Sequence, residues 1–148
     1  MILKVTKLND NATIPTRHFN DDAGLDLYAL EDTFIPVGKT ATIRTGVAIE
    51  IPKGHVGKIE DRSSMAFKGL RVGAGVIDPG FTGHLAVVLH NLNHQGDLNI
   101  GLPGYKVRRG DKIAQLLLLE TKSYELTVVD ALNDATDRAT SGFGSSGR

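Results

Sequence analysis

The chain of 148 residues contains no cysteine. That absence removes disulfides, thiolate nucleophiles and every metal site built on Cys ligands. It also excludes the zinc nucleobase deaminases whose metal requires Cys. The five histidines, His18, His55, His84, His90 and His94, form no HExxH pattern. His90 and His94 stand four residues apart, but what lies between is not helix-like and no third ligand accompanies them. They are expected to be solvated loop histidines rather than a zinc site. Neither charge is in excess, with 17 Lys plus Arg against 17 Asp plus Glu. That balance gives no reason to expect nucleic acid or a membrane as partner. A small anionic ligand needs only a local cluster of donors. The opening "MILKVTKLND" holds one short apolar run, too short for a signal peptide or a spanning helix. The expected location is therefore cytoplasmic. No internal repeat is present, and the length suits one domain.

What the chain does have is a hydrophobic period of two. In "TATIRTGVAIEIP", Ile43, Val47, Ile49 and Ile51 share one parity, while Thr42, Arg44 and Glu50 share the other. This reads as a half-buried strand, or as a pair bent at Gly46. Further strands are expected at 4–8, 26–30, 55–60, 84–92, 112–120 and 125–132, with Gly, Pro, Asn or Asp between them. Many short strands suggest a β-sandwich, jelly roll or barrel. One short helix is expected at "SSMAFKGL", capped by Ser63 or Ser64 and ended by Gly69. The polar, Gly-rich stretch 93–106 reads as a long loop. The last residues, "DRATSGFGSSGR", carry three glycines, three serines and one aromatic, Phe143, and cannot build a core. The organisation expected is a β domain over 1–137 and a mobile arm over 138–148.

Several segments have the residue types of an anion site. Glycines in the arm let successive N–H groups converge on phosphate, and its serines add donors. Gly142 and Gly147 have P-loop spacing, but Arg148 follows and the chain stops, so the Lys-Ser/Thr and helix of a P-loop are missing. In "DRSSMAFKG", Arg62 can grip phosphate oxygens and Ser63 and Ser64 precede helix N–H groups. A serine cap with a solvated arginine fits the same residues. Gln115 lies inside the apolar strand "KIAQLLLLE" and needs hydrogen-bond partners if buried. Asp26 lies in "AGLDLYA", after a glycine that permits close backbone approach. It reads either as a functional carboxylate or as a structural one. Asp78 sits before Pro79-Gly80, which by itself describes a turn acid. Together these segments outline a polyphosphate site: Arg, Ser, glycine-rich backbone, carboxylates for Mg2+ and an aromatic for stacking.

Five motifs in this order resemble the homotrimeric dUTPases. They are "AGLDLYA" (23–29), "DRSSMAFKG" (61–69), "VGAGVIDPGFTGHLAVVLHN" (72–91), "RRGDKIAQLLL" (108–118) and "RATSGFGSSG" (138–147). The resemblance implies a distorted jelly-roll subunit, a homotrimer with sites at subunit boundaries, Mg2+ as cofactor and dUTP as substrate. The implied reaction gives dUMP and pyrophosphate, limiting uracil in DNA and supplying dUMP. It also implies roles. Asp78 matches the acid that orients and deprotonates the attacking water. Gly73, Val76 and Ile77 match the hairpin whose backbone reads the uracil edge. Phe81 matches the aromatic, usually Tyr, that leaves no room for a 2′-hydroxyl. Arg62, Ser63, Ser64 and Gln115 match phosphate contacts, with Ser63 near the oxygen between the α and β phosphorus atoms. Asp26 matches a carboxylate that supports Mg2+ through water. Arg138 matches the γ-phosphate anchor, and Phe143, Gly144 and Ser145 the arm that closes over the nucleotide. Ala139, Thr140 and Ser141 depart from the family's Gly-Ser-Gly.

Two rival readings follow from the same residues. "IDPGFTGH" looks more like the dCTP deaminases, which share the dUTPase fold. Those enzymes place a proton-shuttling glutamate ten residues after this aspartate, and here that position is Val88, which moves no proton. Hydrolysis is therefore the expected chemistry. The other rival is a nucleotide-responsive regulatory protein that uses the 93–106 loop as a binding surface.

Overall fold

The computed structural model describes residues 1–94 and 103–132. Within them the backbone forms eleven strands and one helix. The strands are β1 (Lys4–Lys7), β2 (Gly24–Tyr28), β3 (Thr33–Pro36), β4 (Thr40–Arg44), β5 (Val47–Glu50), β6 (His55–Glu60), β7 (Leu70–Gly73), β8 (Val76–Ile77), β9 (Ala86–Asn91), β10 (Gly104–Val107) and β11 (Lys112–Glu120). The helix, α1, spans Ser63–Phe67 between β6 and β7. All pairings are antiparallel. They make four small sheets, in the orders β1-β5, β10-β3, β2-β11-β6-β8 and β4-β9-β7. This is the expected all-β jelly roll with one short helix.

One core joins the sheets. Leu27, Ile35, Ile43, Ile59, Leu70, Leu89, Ile113 and Leu116, from seven strands, are all essentially buried. Two buried polar side chains are satisfied by backbone. Thr45 Oγ1 donates to Leu85 O at 2.5 Å, and Asn91 Nδ2 donates to Ile35 O at 2.9 Å. Paired in this way they cost little and tie the β4–β5 bend to the residue before β9, and β9 to β3.

The bend expected at Gly46 is present. Gly46 has φ +76°, and its N–H donates to His84 Nε2 at 2.8 Å. Its carbonyl accepts from Leu8 N–H at 2.8 Å. The parity set Ile43, Val47, Ile49 and Ile51 is buried throughout. β6 and β11 match the expected ranges to the residue.

Four expectations are corrected. The helix is capped by Arg62 through its backbone, with no side-chain cap bond, so neither serine acts as the cap. His90 is not a loop residue. It lies in β9, with Nδ1 and Thr40 Oγ1 2.7 Å apart. Part of the expected 93–106 loop is strand β10, which pairs with β3; residues 95–102 lie outside the described ones. The segment 125–132 forms no strand. A strand needs an edge to pair with, and none is supplied here: Leu126 is 89% exposed and Val128 99%. The arm 138–148 also lies outside the described residues.

Gly46→Ala should cost roughly 1–3 kcal/mol, since a non-glycine residue is strained at positive φ and overpacks. Its Cβ would stand 2.7 Å from that of Ala12. A urea midpoint equal to that of the parent protein would show that the turn relaxes.

Candidate active site

A polar pocket of about 510 Å3 opens beside β2 and β11, lined by His18, Asp22, Ala23, Gly24, Asp26, Arg62, Lys112 and Gln115. Its geometry begins with the register of β11. Gln115 stands opposite Asp26 on one edge and Glu60 on the other. A β-bulge falls between Lys112 and Ala114. The extra residue switches the alternation of the strand. Ile113 and Ala114 both turn into the core, while Lys112 and Gln115, three residues apart, both line the pocket.

Asp26 is the centre of charge. Its side chain is 15% exposed and holds two cations, Arg62 Nε on Oδ1 at 2.8 Å and Lys112 Nζ on Oδ2 at 2.7 Å. The bond to Asp26 raises the Lys112 ammonium above the usual lysine range. Arg62 also donates to Lys112 O at 3.1 Å, which fixes its guanidinium across the pocket. Asp26 thus gathers two cations at one wall of the pocket, donors suited to an anion, while the second carboxylate in the lining, Asp22, is turned to the His18 and Phe19 N–H groups. The Gln115 amide is satisfied as its position in an apolar strand requires: Nε2 donates to Asp61 O at 2.8 Å. Gly24 makes room for it, since a Cβ there would lie 2.5 Å from Gln115 Oε1. The glycine before Asp26 is thus a close-approach position.

The opposite end of the site is built differently. β7 turns into β8 through Ala74, the only non-glycine among the described residues with positive φ, at +50°. Gly75 lies flat on β6: a side chain there would strike Ile59 O, and the Gly75 carbonyl accepts from Ile59 N–H at 2.7 Å. His90 fills the space that a side chain at Gly73 would need. Both glycines are therefore required by their neighbours. β7 pairs with β9 and β8 with β6, so the stretch expected as a hairpin is instead a tight connection between two sheets. After β8, Asp78 opens a turn in which its carbonyl accepts from Phe81 N–H at 3.2 Å. Gly80 has φ +85°, as a type II turn with Pro79 before it demands. The Asp78 side chain is exposed and makes no hydrogen bond or ion pair among the described residues. Phe81 is 44% exposed.

Of the residues singled out in the sequence, the pocket unites Asp26, Arg62 and Gln115. Ser63 and Ser64 are exposed at the start of α1. Gly73, Val76, Ile77, Asp78 and Phe81 do not line it. The register gives the separation. Gln115 faces Glu60 across β11–β6, and Ile77 faces Gly57 across β6–β8. Asp78 therefore stands two strand spacings and about four residues from Gln115, roughly 16 Å between backbones. Arg138, Phe143, Gly144 and Ser145 lie outside the described residues. Lys112, His18 and Asp22 are pocket residues that strand alternation could not reveal. The signal for Lys112 was present only as the two adjacent buried residues of a bulge.

Among the described residues no group of three His, Asp or Glu side chains could cage a metal ion. Both oxygens of Asp26 are already held by cations. Such a donor set suits Mg2+ carried by substrate phosphates and reached through water, the usual mode for that ion.

The dUTPase family model matches residues 10–147. The chain belongs to the dUTPase family. Its relatives include a deoxyuridine 5′-triphosphate nucleotidohydrolase of Gloeothece citriformis, 41% identical over 99% of this chain and 97% of that protein. The mitochondrial dUTPase of Homo sapiens is 39% identical over 100% of this chain and 56% of its own length. Among solved structures, the Staphylococcus bacteriophage 80alpha dUTPase with dUPNHPP superposes with TM-score 0.90 at 30% identity, covering 99% of both chains. A variant of the phage phi11 dUTPase, 30% identical with TM-score 0.79, covers 89% of this chain and 99% of its own and coordinates a structural Mg(II) ion.

Asp26→Asn should bring Lys112 back down toward the ordinary lysine range, because the carboxylate that holds its proton is gone. An NMR titration of the lysine side chains reads this directly. An unchanged Lys112 would mean that the pair is not formed in solution.

Proposed function

We propose that the chain is a dUTP diphosphatase, converting dUTP to dUMP and pyrophosphate. The observation that carries the reading is the pocket in which Asp26, Arg62, Lys112 and Gln115 converge, within a chain of the dUTPase family. Arg62, Lys112, Ser63, Ser64 and Gln115 bind the phosphates. The backbone of Gly73 to Ile77 reads the uracil edge, and Phe81 lies under the deoxyribose. Asp78 accepts a proton from the water that attacks the α-phosphorus, and the pyrophosphate oxygen leaves on the opposite side. Among the described residues the Asp78 carboxylate has no partner, and its exposure leaves it open to a water. Mg2+ bound to the phosphates and to Asp26 through water would neutralise charge on the leaving group. Arg138 and Phe143, with Gly144 and Ser145, close the site and exclude water.

The active assembly is a homotrimer with shared sites. Roughly 16 Å between the backbones of Gln115 and Asp78 sets the phosphate and base residues at separate ends of one chain. Asp78 and the β7–β8 connection of one subunit therefore complete the phosphate pocket of another. The bare apolar residues of 125–132 support the same reading, since they need cover from a neighbouring chain.

One incubation series with Mg2+ tests the reaction: dUTP, dCTP, dTTP and UTP, followed by nucleotide separation. dUMP and pyrophosphate from dUTP alone is the expected result. Formation of dUTP or dUMP from dCTP would establish deamination instead. Asp78→Asn should retain nucleotide binding and lose turnover by a factor of roughly a hundred or more, the usual contribution of a general base. Turnover near that of the parent protein would remove Asp78 from the chemistry.

A further inference from the structure

Asp61 touches the pocket only through its carbonyl, yet it is fastened at three points. Its backbone carbonyl accepts the Gln115 amide at 2.8 Å. Its Oδ1 accepts Val72 N–H at 2.6 Å, and its Oδ2 pairs with Arg71 Nε at 2.5 Å. The side chain is only 16% exposed, whereas that of Arg71 is 59% exposed.

The Val72 bond is not a surplus contact. Leu92 N–H donates to Gly69 O across β7–β9, and Gly69 and Leu92 stand just beyond the paired residues Leu70 and Asn91. In an antiparallel ladder the donors aimed at the partner strand recur at every second residue. On β7 these are Arg71 and Gly73, so Val72 N–H points away from β9, along an open sheet edge. Such edge donors need a partner other than a strand. Here a carboxylate supplied from the end of β6 takes that place. Asp61 thus joins the sheet β2-β11-β6-β8 to the sheet β4-β9-β7, one residue before the connection Gly73–Val76.

We infer that Asp61 is a positioning residue that sets both half-sites of the chain: its carbonyl orients Gln115 for the phosphates, and its carboxylate holds β7 so that the connection presents its backbone to the base. This rests on the reading of Gln115 and the connection as substrate contacts. The two functions separate on mutation, because a side-chain change leaves the carbonyl in place. Phosphate chemistry persists and base reading loosens.

The test compares Asp61→Ala, Asp61→Asn and Arg71→Ala in full-length protein, with KM, kcat, thermal midpoint and the ratio of kcat/KM for dUTP over dCTP. Asp61→Ala should raise KM for dUTP about tenfold, the factor that one charge-assisted hydrogen bond represents. It should lower the dUTP/dCTP ratio and leave kcat within about threefold, a change worth well under 1 kcal/mol. Asp61→Asn keeps an acceptor for Val72 N–H and should restore most of both losses. Arg71→Ala should do little, because its ion pair is exposed. If Asp61→Ala does not fold, Asp61→Ser, polar but too short to reach Val72, carries the test with the same expectations. An unchanged dUTP/dCTP ratio, or Asp61→Asn as impaired as the truncated variant, would overturn the inference. Gln115→Ala and Asp78→Asn, assayed alongside, separate the two layers. If both retain full turnover, the site reading itself fails. If both lose turnover while Asp61→Ala matches the parent protein, only the role of Asp61 fails.

Discussion

The site depends on one constraint, the pairing of β11 along both edges. Its register with β2 sets Asp26 opposite Gln115, and its register with β6 sets Glu60 opposite the same glutamine. Asp61 and Arg62 follow Glu60 directly, so both arrive at the pocket through that second ladder. A slip of one residue would turn Gln115 into the core and Leu116 into the pocket. Leu116 opposes the slip, since a shift of one residue takes it out of its buried position. Core packing and substrate recognition are thus specified by the same strand.

How much of this was legible in the sequence follows from the length and regularity of each element. β6 and β11 are long enough for their alternation to show, and the bend at Gly46 was marked by a glycine between two strands of like parity. β3, β7, β8 and β10 have two to four residues each and carry no usable period. At the site, Asp26, Arg62 and Gln115 stood out as polar residues in apolar or capping contexts. Lys112 did not, because the bulge breaks the alternation that reading relied on. Asp61 did not because its partners are a backbone N–H and a glutamine 54 residues away, relations that no local pattern encodes. The serines at α1 were misread as caps because residue type alone cannot show which residue has extended backbone. Arg62 has it, at φ −83° and ψ 137°.

The segment 125–132 is the informative misreading. Its alternation is that of a strand, and its residues are those of a strand. What it lacks is an edge among the described residues. Alternation records the environment in the functional assembly, whereas the fold of a single chain leaves Leu126 and Val128 bare. The proposed site has the same form, with its phosphate and base ends assigned to different chains. The bare apolar residues of 125–132 fit that proposed assembly.

The division also sharpens the choice between hydrolysis and deamination. Deamination requires a proton carrier at the pyrimidine, whereas hydrolysis requires a base at the α-phosphorus. Val88 pairs directly with Gly73 in the β7–β9 ladder, and directly paired residues project to the same face. Position 88 therefore stands beside the segment proposed to read the base, where a carboxylate could act on the ring. It carries an aliphatic side chain instead. The Asp78 carboxylate lies beyond the far end of β8, after the β7–β8 connection rather than within it, and has no partner among the described residues. The resemblance of "DPGFTGH" to a deaminase turn is a resemblance of backbone: Pro79 and Gly80 shape a type II turn that either chemistry can use. Which reaction follows is decided by the side chains the turn and the ladder present, and those are an exposed acid at 78 and a valine at 88.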